Sequence, residues 1–129
     1  MPDLTITSIT ASLLGLFFIW LCVRIIRLRV KHQALIGDVG NTELQFAIRV
    51  QGNFTEFVPI FLILLGLLEY AGANSVVLAV IAVLFIVARV LHVYGMGETA
   101  NLALRQAGIA GSFTAIAVAS LYGLFLALT

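Results

Sequence analysis

Four long apolar stretches separated by short polar breaks dominate the chain: about Leu4 to Val23, Phe54 to Gly72, Ser75 to Tyr94 and Ala107 to Leu128. Each has roughly the 20 residues that an α-helix needs to cross a hydrocarbon layer about 30 Å thick. None shows the period-two alternation of a barrel strand, and an open sheet would leave its backbone unsatisfied in lipid. The pattern predicts an all-α fold, an integral membrane four-helix transmembrane bundle formed by residues 1–129 as one domain. No internal repeat or low-complexity segment stands out.

The longest polar stretch, Arg24 to Gly52, divides between helix and loop. Gly37-Asp38-Val39-Gly40-Asn41 reads as a turn by composition, and Thr42-Glu43-Leu44-Gln45 reads as a capping box. The second helix is therefore expected to start near residue 42, well before it enters lipid. Small residues at Gly111, Ala115, Ala119 and Gly123, four apart, predict close packing of the fourth helix on a neighbour.

Composition sharpens the picture. With 62% hydrophobic and 10% charged residues, a water-soluble globule is excluded. A formal charge of +1 on so apolar a chain also excludes a nucleic-acid binder, which needs a basic face in water. The bilayer is the expected partner. Cys22, the single cysteine, has no internal disulfide partner and reads as a small buried hydrophobe. Met1-Pro2-Asp3 supplies no positive leader region and no Ala-x-Ala exit follows, so the first helix is expected to stay.

Charge placement sets orientation. Arg24, Arg27, Arg29, Lys31, Arg49, Arg89 and Arg105 all fall toward one membrane face, while Asp3 and Glu69 mark the other. Counted by side, the basic face also carries Asp38, Glu43, Glu56 and Glu98, a surplus of three against a deficit of two opposite. By the positive-inside rule that face is cytoplasmic and both termini are outside.

The segment that could carry chemistry opens the second span. At about 100° per residue, Gln45, Arg49, Asn53 and Glu56 fall on one helical face. Glu56 lies within the span, where exposure to lipid costs a few kcal/mol, so it is expected to face protein or water. Pro59 withholds a donor from the carbonyl of Thr55 and predicts a kink beside this stripe. The plain alternative is an Arg49 and Glu56 pair that only joins helices, through Asn53. More cations gather at the same depth, however. Arg89 and His92 share a face of the third helix, Arg105 opens the fourth, and Arg27 and Arg29 end the first. Arg89 sits about a turn and a half inside its helix, deeper than orientation requires. A partly desolvated cationic pocket of this kind fits carboxylates, which the arginine fork binds bidentately. A ligand with two carboxylates and one ammonium would match several arginines and a single Glu56.

Arg49-x-x-x-Asn53-x-x-Glu56 followed by Pro59, and then Arg89-Val90-Leu91-His92, resembles the MAPEG superfamily, the membrane-associated proteins in eicosanoid and glutathione metabolism. The resemblance covers essentially the whole chain, including four-helix order, Arg27-Leu28-Arg29 and Gly37-Asp38, and is greatest to the bacterial branch. It implies a homotrimer in a bacterial inner membrane that binds glutathione, as co-substrate, between subunits. It further implies a transferase or peroxidase acting on lipophilic electrophiles or hydroperoxides at the cytoplasmic boundary. Arg49, Asn53 and Glu56 would hold the tripeptide, with Glu56 on its ammonium and Arg49 on a carboxylate. Arg27 or Arg29, together with His92, would approach from the subunit interface, with Arg89 and Gln45 completing the layer. Arg105 would be catalytic by stabilising the thiolate, since a nearby cation lowers a thiol pKa from about 8.5.

Several eukaryotic relatives place aromatic hydroxyls where this chain has Met96 and Ile109, neither of which donates a hydrogen bond. Tyr94 points about 160° away from Met96 on an ideal helix. The pattern therefore favours glutathione binding over prostaglandin or leukotriene synthesis. His92 has its own plain alternative, an interhelical hydrogen bond. Trp20, with Phe17 and Phe18, reads as packing, and Glu69, about 20 Å along the helix from Glu56, is too distant to share its chemistry. No sequence pattern argues for a metal site. Two competing functions fit the same residues: a small proton-coupled multidrug transporter using Glu56, and a relative that binds glutathione without turnover. Against the transporter, Arg49 and Arg89 would repel a cationic drug.

Overall fold

The computed structural model describes residues 3–97 and 101–129; Met1, Pro2 and Glu98 lie outside them. Four helices follow in order: α1 (Thr5–Lys31), α2 (Thr42–Tyr70), α3 (Ser75–Gly95) and α4 (Leu102–Leu128). All four are long and apolar enough to cross a membrane. At 1.5 Å per residue, the 27 residues of α1 and 29 of α2 span roughly 40 Å, more than the hydrocarbon layer. Their surplus turns, Arg24–Lys31 and the start of α2, project from the basic end.

Most helix starts follow one chemical rule, an asparagine side chain accepting the first free backbone N–H groups. Asn74 accepts from Val76 and Val77, and Asn101 from Leu104. The start of α2 corrects the expected capping box. Asn41, rather than Thr42, is the cap, its Oδ1 accepting from the Leu44 N–H at 2.9 Å. Asn41 takes the role because it is the last residue with extended backbone, whereas Thr42 is already helical.

The start of α1 has no cap from its own flank. The carboxylate of Glu69, at the end of α2, accepts from the N–H groups of Ile6 at 2.8 Å and Thr7 at 2.7 Å. At the opposite end Arg29 donates to the carbonyls of Ala34 and Gly37, bracing the connection to α2. There Gly37 and Gly40 adopt positive φ, as the turn composition predicts.

The core is built around α2, which packs on each of the other three helices. Its buried face follows helical spacing through Leu44, Ala47, Val50, Phe54, Val58, Phe61, Leu65 and Leu68. Phe61 stacks on Phe85 of α3 with ring centroids 3.8 Å apart, and Phe54 meets Phe17 edge-on. The helix runs through Pro59 without interruption. Between α3 and α4 the approach is closest at glycine. A Cβ on Gly108 would lie 2.6 Å from the His92 nitrogen, and Gly95 abuts the Arg105 backbone. The expected small-residue stripe contributes only in part: Ala115 and Ala119 are buried, but Gly123 has ordinary space around it.

Candidate functional site

The buried face of α2 dictates where its polar stripe must lie. Gln45, Arg49 and Glu56 are exposed on the opposite flank of the helix, as their spacing requires. Asn53, between them, is half-buried because its side chain turns toward α3. The simple Arg49 and Glu56 pair does not form. Among the described residues the ion pair is Lys31 with Glu43 at the helix ends, with His32 Nε2 3.9 Å from the same carboxylate.

Arg89 departs most from the sequence reading. Rather than opening onto a cationic pocket, it is only 1% exposed and its guanidinium is committed within the chain. One terminal nitrogen, Nη1, donates to Asn53 Oδ1 at 2.7 Å. The other, Nη2, donates to Ser112 Oγ and, at 3.4 Å, to the Gly108 carbonyl. The rings of Phe57 and Phe85 lie 5.0 and 5.6 Å from its central carbon, within cation–π range. Among the described residues no carboxylate pairs with it. The physical reason is the glycine at 108. With no side chain there, α4 comes close enough to α3 to supply a carbonyl and a hydroxyl to the guanidinium.

Ser112 is thus a polar residue that sequence reasoning missed. Its Oγ also donates to the Gly108 carbonyl at 2.8 Å, which fixes the hydroxyl beside Arg89. A signal was available, since Ser112 stands two turns beyond Arg105 on the same helical face.

One turn beyond Arg89, His92 is likewise buried, 4% exposed, with its backbone against Gly108. It makes no interhelical hydrogen bond among the described residues. Arg105 lies exposed in the first turns of α4, where its backbone meets Gly95 at the end of α3. Tyr94 is 70% exposed while Met96 is buried, the divergence expected from helical geometry.

On α1 the two candidate arginines separate. Arg29 is engaged by the loop carbonyls, whereas Arg27 is exposed and, with Arg24 and Trp20, lines a hollow of about 370 Å³. Arg27 is therefore the freer of the two to meet a ligand. Arg27, Gln45, Arg49, Glu56 and Arg105 are thus exposed on three different helices, whereas Arg89, His92 and Ser112 are buried between α3 and α4. Asn53 on α2 is bonded to the buried set through Arg89.

Two comparisons bear on this geometry. The family model described as "MAPEG family" matches residues 7–125. Two relatives are each 31% identical over 90 residues, covering 70% of this chain and 69% of their own length. Both are described as inner membrane protein YecN, one from Escherichia coli strain K12 and one from Escherichia coli O6:H1.

Proposed function

This chain belongs to the MAPEG family, and from that premise we propose that it is a glutathione-binding integral membrane enzyme. It conjugates glutathione to lipophilic electrophiles, or reduces lipophilic hydroperoxides with it, at the cytoplasmic boundary of a bacterial inner membrane. The observation that carries the reading is the exposed pair of Arg49 and Glu56 on one face of α2, with Asn53 between them turned inward and bonded to the buried Arg89. One exposed carboxylate and one exposed guanidinium on the same helical face, with Arg27 and Arg105 exposed on other helices, are the charges a tripeptide with two carboxylates and one ammonium requires.

Roles follow from charge. Glu56 accepts from the ammonium of the γ-glutamyl end, and Arg49 donates to a carboxylate. Arg105, at the mouth of the α3–α4 seam, holds the sulfur as thiolate by favouring its negative form. In conjugation the thiol proton is lost to water and the thiolate forms a carbon–sulfur bond with the electrophile. The electrophile either expels an anionic leaving group or breaks a carbon–carbon π bond, whose far carbon then takes up a proton. In peroxide reduction two glutathiones lose their thiol protons and form a disulfide, while the hydroperoxide leaves as alcohol and water. Alignment of glutathione from the cytoplasm with a reactant from lipid contributes by proximity.

Because the stripe lies on the outer surface of the single chain, a neighbouring subunit of a homotrimer closes over it and brings its exposed Arg27 into reach, whereas His92, buried beneath α4, stays behind the surface. A titration of detergent-solubilised protein with glutathione tests the reading. Saturable binding that Arg49→Ala weakens about tenfold or more supports it; no binding to the unmodified protein, or undiminished binding to the variant, rejects it. Binding with neither conjugation of a model electrophile nor reduction of a lipophilic hydroperoxide would leave the glutathione site standing and remove the enzyme.

A further inference from the structure

Arg89 cannot reach the surface, yet it is bonded to the one stripe residue that turns inward. We infer that Arg89 is a positioning residue that fixes Asn53 as a hydrogen-bond donor, so that Asn53 recognises a carboxylate or carbonyl oxygen of the ligand. This rests on the glutathione reading above and refines its site.

A side-chain amide has one acceptor oxygen and one nitrogen with two donors, and a free asparagine can present either end to a ligand. Here the choice is made internally. The Asn53 oxygen faces the Arg89 guanidinium at 2.7 Å, and a guanidinium only donates, so the reverse orientation would set donor against donor. The amide nitrogen is left outward. Among the described residues it donates to no other group and is not sealed from solvent. Arg89 is itself held from the far side by Ser112 and the Gly108 carbonyl and flanked by Phe57 and Phe85, so its position is set by groups other than Asn53.

A second effect follows from charge. A hydrogen bond to the oxygen of an amide polarises its N–H groups, more strongly when the donor is a cation in an apolar setting. With no carboxylate pairing with it among the described residues, the charge of Arg89 acts outward through Asn53 toward an anionic ligand. The arrangement favours an oxygen acceptor and disfavours an ammonium at Asn53, leaving the ammonium to Glu56.

A double-mutant cycle on the full-length protein tests this, with glutathione affinity as the readout. Asn53→Ala and Arg89→Lys are each expected to weaken binding about tenfold, and the double variant to bind no worse than Asn53→Ala alone. A residue that merely held the bundle together would lower affinity equally in both backgrounds, and that outcome overturns the proposal. Asn53→Asp keeps the measurement decisive should Arg89→Lys fail to fold. A carboxylate gives Arg89 an ionic partner, so this variant is expected to be at least as heat-stable as the unmodified protein while losing glutathione binding at least tenfold. Retained binding by Asn53→Asp would mean that Asn53 does not donate. If the unmodified protein does not bind glutathione, the underlying functional reading fails; if it binds and these variants bind equally, only the role of Arg89 fails.

Discussion

At the scale of single residues, two charged side chains have work that their sequence positions do not announce. Glu69 reads as a carboxylate closing the second span, yet it caps the start of α1 by accepting two backbone N–H groups. Glu69→Ala leaves those donors without their acceptor and is expected to cost about 1–2 kcal/mol. Hydrogen exchange at the Ile6 and Thr7 amides should accelerate in the variant, and unchanged exchange would remove the capping role. Arg89 presents the opposite case. Its depth in the third span marks it as unusual in the sequence, but its partners come from two other helices, and no spacing within α3 reveals them. The Arg49, Asn53 and Glu56 alignment was legible because helical periodicity alone decides it. The division of that stripe into exposed residues and one inward-turned asparagine depends on what α3 offers.

At the scale of elements, the four apolar stretches were sufficient to locate four helices, because crossing length and backbone satisfaction leave few alternatives in lipid. The ends were less legible. The fourth helix begins at Leu102, one turn before Arg105, which the sequence places at its start, because Asn101 caps it and this first turn lies outside the apolar stretch that marks the span. The second begins at Thr42, where the sequence puts it, and only the identity of its cap, Asn41, differs. Packing between elements was harder still. The stripe of Gly111 to Gly123 is regular, whereas the tightest contacts of α4 with α3 fall outside it, at Gly95 against the Arg105 backbone and at Gly108 against His92. Gly108→Ala places a Cβ 2.6 Å from the His92 nitrogen and 2.7 Å from the Ala88 carbonyl oxygen, both backbone atoms. The α3–α4 seam must then separate, and a loss of about 2 kcal/mol or more is expected, read as a lower melting temperature in detergent. A variant that melts with the unmodified protein would show that the seam has slack.

For the whole molecule, charge distribution and helix order together define a polarity. The ends of α1 and α3 and the starts of α2 and α4 share one face, which bears the arginines. Cysteines placed singly at Gln33 and Ala71, in a Cys22→Ser background, should react with a membrane-impermeant thiol reagent from opposite sides. Gln33→Cys is expected to react only from the cytoplasm and Ala71→Cys only from outside; the reverse pattern would invert the orientation. The internal bonding of Arg89 bears on how this bundle comes together during synthesis. Its acceptors are divided between α2, made earlier, and α4, made last of the four. Until α4 docks, α3 carries a guanidinium at membrane depth with only one of its three acceptors in place. Docking of the last helix thus supplies two of the three acceptors that a buried guanidinium needs, so the bonding of Arg89 ties completion of the bundle to its final element.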